Sequence, residues 1–282
     1  MRPAGQVTNP YDRTLRPSSA TASTLPLMGT ALITGASAGL GLEFAWQLAA
    51  ARHDLVLVAR NEERLNQIAE NIRTVAGVEV EVLPADLAVP DDVERVADRL
   101  AATGAHEGPA PVGLLVNNAG FATPGDFTRG RASSELRGID VMIRALVRLS
   151  HAAVHQMVPR GRGAILNVAS VAALTAGGTY AAAKAYVRSF TEGLAVDLKG
   201  TGVTATVLCP GFTHTEFHER AGIPETAIPD WAWLDAPPVV KQALADVRRG
   251  VVISTPSVRY KVASALLRAA PRWAVRAVGK VR

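Results

Sequence analysis

Tyr180 and Lys184 stand four residues apart in Tyr180-Ala181-Ala182-Ala183-Lys184, where a helical stretch begins. On a helix that spacing puts the phenol and the ammonium on one face. A cation beside a phenol stabilises tyrosinate and lowers its pKa from about 10 toward neutrality, as a general acid/base requires. Ten residues earlier Ser170 ends an apolar run, where a hydroxyl could orient a substrate carbonyl. Taken alone, a Tyr-x-x-x-Lys pair is common and reads better as a solvated helix face, so its meaning depends on what surrounds it.

A second group of residues could hold a phosphate. Thr34-Gly35-Ala36-Ser37-Ala38-Gly39-Leu40-Gly41 joins an apolar strand to a helix. Glycines at such a turn let the backbone bend tightly and approach a pyrophosphate lying on the amides and positive dipole of the helix N-terminus. The same composition also suits an ordinary βα turn, and the spacing is TGxxxGxG rather than GxGxxG. About 20 residues on, where a carboxylate commonly receives the ribose hydroxyls, the chain has Val58-Ala59-Arg60-Asn61. A guanidinium there would match a 2′-phosphate in a bidentate fork, favouring NADP(H) over NAD(H). The competing reading is that Arg60 merely opens the next helix with Glu62 and Glu63.

The elements that must position these residues follow from hydrophobic periodicity. Strand-like runs at Thr30–Thr34, Asp54–Ala59, Val78–Pro84, Val112–Asn117, Gly163–Ala169 and Val203–Cys209 alternate with helix-like segments. The latter fall at Leu40–Ala51, Glu62–Val75, Asp91–Thr103, around Ser134–Met157, and at Tyr180–Lys199; Val251–Ser254 offers a last short strand. Strands without polar alternation are covered on both faces, and βαβ alternation implies a parallel sheet with helices on each side. The expectation is a single doubly wound α/β domain over residues 28–255, of the Rossmann type, without a repeat or second domain. Residues 1–27, rich in Pro, Ser, Thr and Ala, read as a disordered tail; one bland explanation of them is that translation begins at Met28.

Composition narrows the function classes. With 282 residues, 48% hydrophobic and 20% charged, the chain can bury a full core. A net charge of +5 is too small and diffuse to argue for nucleic acid. Nine Lys/Arg and no Asp/Glu lie from Val247 onward, leaving residues 1–246 at −4. A single cysteine, Cys209, excludes an internal disulfide framework or a Cys-cluster zinc site and reads as a small buried hydrophobe. His151/His155 and His214/His218 have helical spacing but no third or fourth partner, so no metal is expected. No secretory signal is evident. The uncharged run Gly163–Ala183 reads as buried strand plus loop rather than a membrane span.

Thr34–Gly41, Asp86-Leu87, Asn117-Asn118-Ala119-Gly120, Ser170, Tyr180-x-x-x-Lys184 and Pro210-Gly211 occur in an order that resembles the short-chain dehydrogenase/reductase family over about Met28 to Ser254. The resemblance implies a Rossmann domain of about seven parallel strands that binds a nicotinamide cofactor and moves hydride to or from a carbonyl/alcohol pair. By family role Gly35, Ser37, Gly39, Leu40 and Gly41 would line the pyrophosphate, and Asp86 and Leu87 the adenine. Asn117, Ala119 and Gly120 would form the floor beneath the cofactor, with Pro210 and Gly211 also at that site. Tyr180 would donate the proton, Ser170 polarise the carbonyl, and Lys184 depress the Tyr180 pKa while gripping the nicotinamide ribose. A substrate lid would span about 212–236, bringing Phe212, Trp231 and Trp233 toward an apolar substrate. Homodimers or homotetramers and a cytoplasmic location are expected.

Two departures temper this. Met142 stands where many members carry a relay asparagine, and a thioether lacks an amide's two donors. The interval from Ser170 to Tyr180 is also shorter than the family usually has. The leading expectation is an NADP(H)-dependent enzyme interconverting a ketone and a secondary alcohol on a hydrophobic or acyl-type substrate. The alternative is a catalytically impaired dinucleotide-binding regulatory or scaffold protein. Residues 256–282 form a basic amphipathic segment, with Arg268, Arg272, Arg276 and Lys280 set against Leu266, Leu267, Trp273 and Val275, and Pro271 splitting it into two helices. Such a segment suits peripheral contact with an anionic membrane or packing as an arm on a subunit.

Overall fold

In a computed structural model the protein is described over residues 29–105, 108–122, 127–217 and 228–278. The expected tail at 1–27, His218, Lys280 and the middle of the lid lie outside these residues. A seven-stranded, wholly parallel sheet runs in the order β3-β2-β1-β4-β5-β6-β7. Its strands are β1 (Thr30–Thr34), β2 (Asp54–Ala59), β3 (Val80–Pro84), β4 (Val112–Asn117), β5 (Gly163–Val168), β6 (Val203–Leu208) and β7 (Ile253–Ser254). This is the expected doubly wound Rossmann architecture, and the apolar runs explain it. Ala31, Leu32 and Ile33 are all fully buried, because each face of β1 has its own helix layer.

One layer holds α1 (Gly39–Ala50), α2 (Glu62–Ala76) and α7 (Ala236–Arg248), with Phe44, Leu65, Ile72 and Val240 packed on Ile33 and its neighbours. The other holds α3 (Pro90–Ala101), α5 (Leu146–Met157) and the far side of α6 (Gly178–Asp197), with Val96, Leu100, Leu149 and Met157 packed on Leu32 and its neighbours. Helix ends follow local chemistry. Asn61 caps α2 by accepting from the Arg64 amide at 2.9 Å, and Gly77 ends that helix in the left-handed region at φ 62°.

The long helical stretch expected around Ser134–Met157 is present and unbroken, but its middle is wound differently. Helix α4 (Ala132–Ile139) passes into a π-helical segment, Asp140–Ala145, before α5 begins. A π segment adds a residue to the turn, and no 3.6-residue apolar pattern announces it. At the C-terminus α8 (Val258–Ala269) and α9 (Arg272–Val278) flank Pro271, which cannot continue a helix.

The chain reverses its winding between β1 and β4, and the crevice outside the carboxyl ends of the strands opens there. The glycine turn after β1, Asn118–Gly120 after β4, Ser170 after β5 and Pro210–Gly211 after β6 all end at this edge.

Candidate active site

The glycine turn is built to keep its backbone close. Gly35 and Gly39 have φ of 67° and 53°, and a Cβ at Gly41 would lie 2.1 Å from the Gly35 carbonyl oxygen. Asn118 staples this turn to β4. Its side-chain amide donates to the carbonyls of Thr34 (3.0 Å) and Gly35 (3.3 Å), while the Thr34 hydroxyl accepts from the amides of Asn118 and Ala119, both at 3.0 Å. The second asparagine of the Asn-Asn-Ala-Gly motif thus shapes the phosphate turn, a role the sequence reading did not assign.

Asn117, expected beneath the cofactor, ends β4 with a buried side chain. Its side chain turns inward, donating to Ser150 Oγ at 3.1 Å and Asn167 Oδ1 at 2.9 Å; Asn167 in turn donates to the Thr191 hydroxyl at 2.9 Å. This buried chain of amides ties β4 to β5, α5 and α6, because polar groups inside a sheet must find one another. Ala119 and Gly120 are left at the edge of the crevice.

Helix α6 carries Tyr180 and Lys184 at its start, with their faces aligned as expected: the Lys184 ammonium lies 5.7 Å from the centre of the Tyr180 ring. Ser170 closes the trio. Its Oγ accepts from the Ala172 amide at 3.1 Å, starting the turn Val171–Leu174, and it also hydrogen-bonds the Tyr180 phenol. The shorter interval between Ser170 and Tyr180 does not separate them.

The electrostatics differ from the simple expectation. Burial pushes the Tyr180 phenol up to about 12, and only the Ser170 hydrogen bond pulls it down. Lys184 does not offset this, because its ammonium points to the Val168 carbonyl at 2.8 Å and is itself 4% exposed. Burial lowers Lys184 to about 8, opposed only by the nearby Cys209. Desolvation is the largest influence on both groups. The phenol is therefore neutral at pH 7.

Behind Lys184 lies Met142, in the π segment and 1% exposed. A Cβ on Gly120 would meet Lys184 Nζ and Met142 Cγ, each at 3.3 Å, so the thioether and the ammonium share one wall of the site.

Asp86, which follows β3, is clamped. Burial would raise its pKa, but the Ala88 amide (3.0 Å), the Arg137 guanidinium (2.6 Å) and the field of Arg60 hold the carboxyl below its usual range. Leu87 beside it is buried. Arg60 is exposed at the end of β2, within electrostatic reach of Asp86. Arg137, on α4, was not singled out from the sequence.

The described parts of the segment expected to form a lid pack on themselves as well as against Tyr180. The amide of Leu234 donates to the Phe212 carbonyl, and the His214 amide donates to the Leu234 carbonyl, each at 2.9 Å. Trp233 is buried in this small core, stacked on His214 at 4.5 Å, whereas Trp231 points outward and is exposed. The lid residue against Tyr180 is instead Phe217, with ring centres 5.5 Å apart. Its neighbour Glu216 accepts the Gly39 amide at 3.0 Å. Neither Phe217 nor Glu216 carried a sequence signal. Among the described residues no cluster of three metal-ligating side chains forms. Cys209 is buried, and desolvation raises its thiol to about 11.

A family model described as "short chain dehydrogenase" matches residues 29–225. Sulfoacetaldehyde reductase 2 of Chromohalobacter salexigens is 34% identical over 221 residues, covering 77% of this chain and 85% of the relative. A short-chain dehydrogenase from Sphingobium yanoikuyae, solved in complex with NADPH, is 35% identical with a TM-score of 0.76, covering 86% of this chain and 94% of its own. The bulky-bulky ketone specific alcohol dehydrogenase of Comamonas testosteroni is 28% identical with a TM-score of 0.73, covering 86% of this chain and 92% of its own. The chain belongs to the short-chain dehydrogenase family and is an NAD(P)-dependent oxidoreductase acting on the CH-OH/C=O pair.

Proposed function

We propose that this short-chain dehydrogenase is an NADP(H)-dependent oxidoreductase that interconverts a ketone and a secondary alcohol on a hydrophobic or acyl-type substrate, with Tyr180 as acid/base. The observation that carries the reading is the meeting of Tyr180, Ser170 and Lys184 at the end of the crevice that the glycine turn begins.

The residues at the crevice fit a dinucleotide. Gly41 has no room for a side chain, and the Gly39 amide already binds an anion, the Glu216 carboxylate, at 3.0 Å. Gly35, Ser37, Gly39, Leu40 and Gly41 would hold the pyrophosphate, Asp86 and Leu87 the adenine, and Arg60 the 2′-phosphate. Pro210, Gly211, Ala119 and Gly120 would border the nicotinamide end, and Lys184 would take its ribose hydroxyls. The bound nicotinamide supplies or accepts the hydride.

In reduction the neutral Tyr180 phenol gives its proton to the carbonyl oxygen. Ser170, whose Oγ accepts from the Ala172 amide, would turn its own hydrogen from the Tyr180 phenol to that same oxygen. Lys184 stabilises the tyrosinate left behind once its ammonium turns from the Val168 carbonyl. Phe217, Phe212 and the lid core of Trp233 exclude water from one side. These aromatic groups favour an apolar substrate, in keeping with the ketone named for the Comamonas relative. Arg60 and the NADPH bound to the Sphingobium relative support the cofactor preference.

The reading extends to a homodimer or homotetramer in the cytoplasm, a reducing compartment that suits a chain with one unpaired, buried cysteine. No helix among the described residues is long and apolar enough to cross a membrane. Peripheral membrane contact is assigned to the outer face of α8 and α9, where Val258, Val262, Leu266 and Trp273 are exposed among Arg259, Lys261, Arg268, Arg272 and Arg276.

The test is loss of nicotinamide absorbance when the protein is mixed with NADPH, or NADH in parallel, and a panel of aliphatic, aromatic, steroid and acyl-thioester ketones. Turnover with NADPH in preference to NADH is expected. Cofactor binding without turnover on the whole panel would favour the scaffold alternative that Met142 raises.

A further inference from the structure

The C-terminal helices lie beyond the residues matched by the family, yet α8 reaches into the substrate side of the cleft. Its first turn places Tyr260 over Pro210–Gly211–Phe212. The Tyr260 hydroxyl accepts the Phe212 amide at 3.2 Å and donates to the Ala232 carbonyl at 2.7 Å. One phenol thus holds the segment where the lid leaves β6 and the turn by which it returns, Asp230–Ala232. Only a neutral tyrosine can accept and donate at once. Burial, which raises the Tyr260 pKa, keeps it in that form.

Two further contacts make this junction specific. The Tyr260 ring lies so close to Gly211 that a Cβ there would fall 2.0 Å from Cε2, so glycine and tyrosine require each other's shape. Next to it, the Arg259 guanidinium donates to the Trp231 carbonyl, adding a second tie to the same turn. The helix also packs on Val171–Leu174, the turn that follows Ser170. Phe212 leads directly to the strand bridge with Leu234 and to the stacked pair His214–Trp233, so anything that frees Phe212 loosens the whole lid base.

We propose that Tyr260 is a positioning residue for the substrate lid, a latch by which the C-terminal helix fixes the two ends of the lid and so sets the width of the substrate cleft. It touches neither the reacting carbonyl nor Tyr180, and it acts through Phe212 and Ala232. Its effect on kinetics rests on the proposed reductase reading; its effect on the lid does not.

The test uses the full chain and Tyr260→Phe, which keeps the ring and removes both hydrogen bonds. Hydrogen–deuterium exchange at the Phe212 amide should rise by about tenfold, with exchange in β1, β4 and β5 unchanged. KM for bulky ketones should rise by about five- to twentyfold while kcat holds or increases, and the NADPH dissociation constant should stay within about twofold. A merely structural role would instead lower kcat and thermal stability together without moving KM. Gly211→Ala supplies an independent arm: its Cβ would displace the Tyr260 ring, so exchange at the Phe212 amide should rise as it does in Tyr260→Phe, and adding Tyr260→Phe should raise it little further. Unchanged exchange at Phe212 in Tyr260→Phe would overturn the latch. If no ketone turns over in the parent protein, the reductase reading fails while exchange at Phe212 still decides the latch.

Discussion

The amide of Gly39, the first residue of α1, donates to the Glu216 carboxylate at 3.0 Å. The donor end of this helix thus already holds an anion, supplied by the lid. A dinucleotide pyrophosphate seeking the same donor must displace it. Glu216→Gln keeps the shape and removes the charge, so NADPH should bind about two- to tenfold more tightly in titration calorimetry. An unchanged or weaker affinity would show that the carboxylate does not compete.

Arg60 is the cation at the end of β2, where the ribose of the adenosine half is expected. Arg60→Ala should raise the NADPH dissociation constant by about 10- to 100-fold and leave that for NADH within about twofold. Equal losses for both cofactors would remove Arg60 from the 2′-phosphate role.

Lys184 is held below its unfolded pKa by burial, at about 8, so the unfolded chain binds more protons than the native one between about pH 8 and 10.5. The cost of the buried charge is full below pH 8 and is relieved as pH rises through that window. Lys184→Met should therefore raise unfolding free energy at neutral pH by about 2 kcal/mol while abolishing turnover. Reduction by the parent enzyme should decline above about pH 8 as the ammonium is lost. A destabilised Lys184→Met would refute this balance.

Met142 fills the wall between Gly120 and Lys184. In the reading of an active enzyme the thioether is compatible with turnover, so Met142→Asn should change kcat by less than about tenfold and cost about 1–3 kcal/mol by burying an amide in an apolar wall. A large gain from negligible activity would instead identify a decayed or repurposed site.

Val262 and Leu266 stand on the outer face of α8, away from the Tyr260 latch. Val262→Asp and Leu266→Asp should each reduce co-sedimentation with vesicles containing anionic lipid, and neutral vesicles should bind weakly even to the parent. Equal partitioning of all three proteins would remove the membrane contact.

The sheet was legible because strands such as β1, β2 and β4 carry apolar runs bounded by turn residues; β4, for example, spans Val112–Asn117 as read. The Tyr180–Lys184 pair was legible because both groups share one helix turn. What was not legible depends on contacts across long sequence distances. The inward turn of Asn117 is set by Ser150 and Asn167, and the clamp on Asp86 by Arg137. The pKa values of Tyr180 and Lys184 follow from burial, which spacing does not report. The π segment at Asp140–Ala145 lies inside the helix that was read as continuous, and its wider winding leaves no apolar period of its own. In the lid, Trp231 and Trp233 drew notice by residue type, yet Phe217 is the ring against Tyr180.

The most direct measurement is NADPH consumption with a bulky ketone by the parent protein and Tyr180→Phe, each first shown to bind NADPH. The variant keeps the ring beside Phe217 and loses the proton. The account predicts a fall in kcat of about 100- to 10,000-fold with cofactor affinity retained. Substantial turnover by Tyr180→Phe would contradict it.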